Sequence, residues 1–121
     1  MVSILIVDDD DVVCISMSLA LNGSEFDVVT AQSGAEALGI LKAQEIDLVL
    51  LDIFMPDKDG LETISEIRCF NDSIKIIAMS GHTEGCFQPL EYAQKLGADA
   101  ALAKPFSIGD LVEMIYSLTG D

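Results

Sequence analysis

Apolar and polar positions change their spacing block by block along this chain. Short runs of aliphatic and β-branched residues fall at Ser3 to Val7, Phe26 to Ala31, Asp47 to Leu51, Ile74 to Met79 and Ala100 to Ala103, each the size of a single strand. Between and after them the spacing lengthens to that of a helix, over Val12 to Leu21, Gly34 to Ala43, Leu61 to Cys69, Pro89 to Leu96 and Ile108 to Leu118. Ser33 stands three residues before Glu36 and Ser107 three before Asp110, so both open a helix with a capping box. Gly97 is placed to end one. Pro89 suits a first helical turn, which makes the fourth helix start late. In the last helix Leu111, Met114, Ile115 and Leu118 share one face, expected against a sheet.

A strand followed by a helix, five times over, predicts an α/β fold with one parallel sheet and helices on both faces, because each right-handed crossover returns the chain to the same sheet edge. The first and third strands are nearly all apolar, as central strands are. At 121 residues the chain is expected to form one domain, residues 1–121. It shows no repeat or low-complexity stretch, and its longest loops are expected around Asp57 and His82.

In an open parallel sheet the ligand site lies beyond the carboxyl ends of the strands. There this sequence places Asp8, Asp9, Asp10 and Asp11 after the first strand, Asp52 after the third, Ser80 after the fourth, and Lys104 with Pro105 after the fifth. Singly, each has an ordinary explanation: aspartates cap helices, serines satisfy turns, lysines cover surfaces. Together at neighbouring strand ends they form a pocket of carboxylates, a hydroxyl and an ammonium. Carboxylates that close need a compensating cation, and a hard ion with oxygen ligands, Mg²⁺, is implied. Within such a pocket an aspartate can act as nucleophile toward phosphorus, with Lys104 and Ser80 suited to the phosphoryl oxygens.

Composition narrows the partners. A net charge of −15 repels nucleic acid and anionic lipid, so direct DNA binding is not expected. No apolar run is long enough to span a bilayer and no secretory pattern opens the chain, so a cytoplasmic location is expected. Cys14, Cys69 and Cys86 are an odd set without metal-ligand spacing, read as small packing residues in a reducing compartment.

The motifs Ile4-Leu5-Ile6-Val7-Asp8-Asp9-Asp10, Leu50-Leu51-Asp52-Ile53-Phe54-Met55-Pro56-Asp57 with Asp59-Gly60, Ala78-Met79-Ser80-Gly81, Gly97-Ala98-Asp99 and Lys104-Pro105-Phe106 resemble the receiver domains of two-component response regulators over the whole chain. The resemblance implies a flavodoxin-like sheet of order 2-1-3-4-5. It makes Asp52 the phosphoacceptor and gives Mg²⁺ the ligands Asp9, Asp52 and the Phe54 backbone carbonyl, with Asp8 acting through water. Ser80 and Lys104 would hold the phosphoryl group, which would come from a phosphohistidine of a sensor histidine kinase or histidine phosphotransfer protein. The output would be changed binding of a protein target or effector domain through the fourth helix, fifth strand and fifth helix. Phe54 and His82 are the positions expected to modulate phosphate lifetime, although His82 also reads as a solvated loop residue. One departure is Ala101, three residues before the lysine, where the family usually has an aromatic; this shifts the expected signalling route to the segment after Ser80.

Two other readings remain open on the residues. A haloacid dehalogenase-like phosphatase would use Asp8 as nucleophile and Asp10 as acid/base, with Lys104 and a second acidic motif, for which Gly109-Asp110 comes too soon. A phosphorylation-independent protein-binding module would not need the set Asp8, Asp9, Asp52, Ser80 and Lys104.

Overall fold

The computed structural model describes residues 2–21, 26–53, 60–80, 89–103 and 106–120, with backbone alone for residues 60 and 89–92. Elements alternate as the pattern requires: β1 (Val2–Val7), α1 (Asp11–Leu21), β2 (Phe26–Ala31), α2 (Gly34–Ala43), β3 (Leu48–Asp52), α3 (Gly60–Phe70), β4 (Lys75–Ser80), α4 (Pro89–Leu96), β5 (Ala100–Ala103) and α5 (Ile108–Thr119). The strands form one sheet of order β2-β1-β3-β4-β5, every described pairing parallel.

Period-two alternation sorts the strand side chains into two cores. Leu5, Val7, Val49, Leu51, Ile76 and Ala78 face one side, where they pack with buried residues of α2, α3 and α4. Ile4, Ile6, Leu48, Leu50, Ile77 and Met79 face the other, with Cys14, Met17 and Leu21 of α1 and Leu111 and Ile115 of α5. β1 and β3 are apolar throughout because both faces are covered. Phe26 and Tyr116 close the second core with ring centroids 5.6 Å apart.

The predicted helix caps form. Ser33 Oγ accepts from Glu36 N–H at 3.1 Å and Ser107 Oγ from Asp110 N–H at 3.0 Å. The return bond of the first box goes from Gln32 N–H to Glu36 Oε2 at 3.4 Å, one residue before the cap. α4 does start at Pro89, and Gly97 ends it with φ +130°.

Candidate functional site: an acidic pocket at the carboxyl ends of β1 and β3

β1 and β3 are neighbours, with Val7 opposite Leu51, so their carboxyl ends emerge side by side. Asp8 comes directly after β1, fixed by its N–H donating to Ala31 O at 3.1 Å. Asp52 is the last residue of β3 and pairs with Met79, while Ser80 is the last of β4 and pairs with Ala103. Asp52 and Ser80 are thus strand residues, each boundary one residue beyond the apolar run, since the ladder continues where hydrophobicity stops.

Asp8, Asp9 and Asp52 each bring a carboxylate oxygen to within 4.8 Å of the others. Asp8 and Asp52 are buried and Asp9 is exposed, so the cluster has a closed floor and an open rim. Asp8 Oδ1 accepts from Asp10 N–H at 3.0 Å, which orients it. The pocket is thus a hard-oxygen donor set of the kind that suits Mg²⁺: two buried carboxylates and one at the surface. Ser80, fully buried, lies at the same sheet end.

The four consecutive aspartates divide by role. Asp10 Oδ1 accepts from Val12 N–H at 2.9 Å, and Asp10 O accepts the first helical bond, from Cys14 N–H. Asp10 therefore caps α1, the ordinary role. Asp11 opens the helix as an exposed residue. Beneath them the Cys14 thiol donates to Asp8 O at 3.3 Å. Burial pushes this thiol up from its ordinary value of 9.0, and the Asp8 carboxylate adds to the rise. Cys14 is a packing residue, as expected. Cys69 is not: it is exposed on α3, whose buried face is carried by Ile64 and Ile67.

Phe54, His82, Cys86, Lys104, Pro105 and the loops around Asp57 and His82 lie outside the described residues. Ala101 is half-buried in β5.

One feature of the site's surroundings was not foreseen. Val12, Ile15 and Leu19 of α1 are 69%, 59% and 75% exposed, and their i, i+3, i+7 spacing aligns them in an apolar stripe that starts beside the acidic pocket. Seven of the eleven positions of α1 are large apolar residues or cysteine, so sequence alone did not separate its core face from this one.

Fold and pocket together define a receiver-type α/β domain with an acidic cluster at the carboxyl ends of β1 and β3. The family model of the response regulator receiver domain matches residues 4–116, and the chain belongs to that family. It is 31% identical over 112 residues to sporulation initiation phosphotransferase F of Bacillus subtilis, covering 93% of this chain and 89% of that protein. It is 37% identical over 110 residues to the transcriptional regulatory protein ZraR of Klebsiella oxytoca, covering 91% of this chain but 24% of that protein. The chain likewise spans 48% of the transcriptional regulatory protein PrrA of Mycobacterium tuberculosis, at 33% identity over 115 residues, 95% of this chain. Among solved structures, a CheY-like receiver domain protein from Methanospirillum hungatei superposes with TM-score 0.92 at 28% identity, covering 99% of this chain and 94% of that one.

Proposed function

We propose that the chain is a phosphorylation-dependent switch of a two-component or phosphorelay system, with Asp52 as phosphoacceptor. The observation that carries this reading is the meeting of Asp8, Asp9 and Asp52 at the ends of adjacent parallel strands. An Asp52 carboxylate oxygen attacks phosphorus, the P–N bond of the donor phosphohistidine breaks, and the imidazole nitrogen takes the electron pair. Asp9, Asp52 and the Phe54 carbonyl would hold Mg²⁺, with Asp8 acting through water, and the bound ion would supply positive charge to offset that of the transferring group. Ser80 and Lys104 would hold the phosphoryl oxygens, and Phe54 and His82 are the candidate positions for modulating phosphate lifetime. Apart from its own phosphotransfer and autodephosphorylation the domain turns over no substrate.

The donor is a histidine kinase or a histidine phosphotransfer protein, a reading supported by the names of relatives that include a phosphotransferase and the sensor kinase CckA of Brucella abortus. The apolar stripe of α1 gives such a donor a surface beside the pocket. Phosphorylation then changes binding of a protein target or effector domain. With Ala101 in the place of an aromatic, the change passes through the segment after Ser80 rather than through β5 side chains. No helix among the described residues is long and apolar enough to cross a membrane, which accords with work in the cytoplasm.

The test is labelling with acetyl phosphate and Mg²⁺, read by intact mass. Wild type should gain one phosphoryl group, Asp8→Asn should gain it more slowly, and Asp52→Asn should gain none. Labelling that survives Asp52→Asn, or turnover that depends on Asp8 alone, would sink the assignment.

A further inference from the structure

β4 has one end at the acidic pocket and the other at a fastening that the pocket does not use. Ser80 ends the strand at the sheet edge that carries the carboxylates; about 17 Å away, at the strand's start, the chain is bracketed by Asp99. Asp99 N–H donates to Ile76 O at 2.8 Å and Asp99 Oδ2 accepts from Ile76 N–H at 2.8 Å, just before the β4–β5 ladder begins at Ile77 and Ala100. Arg68 of α3 completes the bracket, with Nη2 donating to Asp99 Oδ2, Nε to Gly97 O, and Nη1 to Asp72 O and Ile74 O. An ion pair alone would engage one carboxylate. Three backbone carbonyls from two turns fix where the chain runs, and the planar guanidinium is the donor that reaches all of them at once.

α4 is held unequally along its length. At its carboxyl end Gly97 N–H donates to Gln94 O at 3.2 Å and Ala98 N–H to Ala93 O at 3.0 Å, Gly97 O takes the Arg68 bond, and Ala98 is buried. Upstream, among the described side chains of the helix, Ala93 is buried, Leu96 is partly buried, and Gln94 and Lys95 are exposed. A methyl group makes no deep interlock with the sheet, so tilting the helix about Gly97 removes little packing, whereas sliding it breaks the bracket. At about 1.5 Å per residue the helix is about 12 Å long, and a tilt of about 10° displaces its amino end by about 2 Å. β4 does not carry displacement from Ser80 down to the bracket, because Ile77, Ala78 and Met79 are fully buried and paired on both sides.

We infer that Arg68 is a positioning residue of the switch: it makes the carboxyl end of α4 the fixed end, so that the helix answers phosphorylation by tilting about Gly97 and not by shifting along the sheet. The inference rests on the reading of the chain as a switch and adds the residue that sets the pivot. Without the guanidinium both ends of α4 are free to move, and the helix no longer turns a change at one end into a defined rotation.

The test is a set of backbone residual dipolar couplings and amide exchange rates on wild type, Arg68→Lys and Asp99→Asn, with Mg²⁺, before and after acetyl phosphate. In wild type, phosphorylation should rotate the couplings of the α4 amides together and leave those of Ala98 and Asp99 unchanged. Arg68→Lys keeps the charge but not the fork, so Ala98 and Asp99 should join the change, and without phosphate their amides should exchange about tenfold faster while Val49 in β3 exchanges as in wild type. Asp99→Asn keeps an acceptor for Ile76 N–H and should fall between. Phosphoryl uptake by Arg68→Lys should stay within about twofold of wild type, because the pocket lies at the other end of β4. Couplings at Ala98 and Asp99 that change in phosphorylated wild type as much as those of α4 would overturn the inference. So would exchange at Val49 that quickens in Arg68→Lys as much as at Asp99, which is the mark of general stabilisation. Absence of phosphoryl uptake by wild type rejects the switch; uptake with a wild-type pattern in Arg68→Lys rejects the pivot alone.

Discussion

Cys14 shows how closely the acidic pocket and the core share atoms. Its thiol lies under β1 with Asp8 O as acceptor, so it meets both the apolar core and the acidic cluster. Burial first and the Asp8 charge second raise it above 9.0, so the folded state favours the neutral thiol. That contribution is fully present below the unfolded value and is lost as pH rises through the folded one: above about pH 9 the unfolded chain releases a proton that the folded chain keeps. Urea unfolding of Cys14→Ala should therefore lose less stability than wild type between about pH 8.5 and 10. An identical decline would show that the thiol is not held neutral. The same burial separates the cysteines by reactivity. Iodoacetamide should alkylate exposed Cys69 at least about tenfold faster than Cys14, read by peptide mass mapping.

At the scale of elements, the joint between α4 and β5 is fixed by one guanidinium. Arg68, near the end of α3, donates from Nε to Gly97 O at 2.9 Å, from Nη1 to Asp72 O and Ile74 O, and from Nη2 to Asp99 Oδ2 at 2.7 Å. Asp99 Oδ2 also accepts from Ile76 N–H, so the last turn of α3, the start of β4 and the turn before β5 are tied at one point. Gly97 has φ +130°, and a Cβ there would lie 2.8 Å from Arg68 Cγ, so both backbone and space require glycine. Gly97→Ala should destabilise the domain by about 2 kcal/mol in urea melts; a loss near zero would mean that the backbone at residue 97 relaxes out of the positive-φ region and the Arg68 side chain moves aside. The sequence showed Gly97 as a helix stop because helix ends need that conformation, yet it gave no sign of Arg68, whose partners are mostly backbone carbonyls that no residue type records. For the same reason strand limits at Asp52 and Ser80 were missed by one residue: apolar pattern reports burial, whereas the ladder is backbone. β1 and β3 were legible because covered strands admit little besides aliphatic residues. α1 was half legible, since a helix apolar on nearly every side does not show which side is bare. Val12→Ser, Ile15→Ser and Leu19→Ser together should leave the unfolding midpoint almost unchanged, those side chains being exposed, while slowing phosphoryl transfer from a histidine phosphotransfer protein and not from acetyl phosphate. Equal slowing with both donors would place the effect in the pocket instead.

Across the whole molecule, the acidic pocket opposes the fold that positions it. Two buried carboxylates and a third at the rim, within 4.8 Å of one another, repel through a medium less polar than water. The repulsion is tolerated because β1 and β3 are each covered on both faces and hold their ends in register regardless. A divalent cation held there would reverse the sign of that electrostatic term and so link binding to folding through one site. Asp8→Asn should make the metal-free domain more stable by about 1–2 kcal/mol, since it removes one buried like charge and keeps the side chain's shape. It should also weaken Mg²⁺ binding, so that adding millimolar Mg²⁺ raises the melting temperature of wild type more than that of the variant. Melting of both proteins with and without Mg²⁺ decides the matter. If Asp8→Asn lowers stability without the ion, the Asp8 carboxylate serves chiefly to hold the Asp10 N–H and the turn into α1; if it raises stability and Mg²⁺ loses its effect, the cluster is a cation site kept at the expense of the fold.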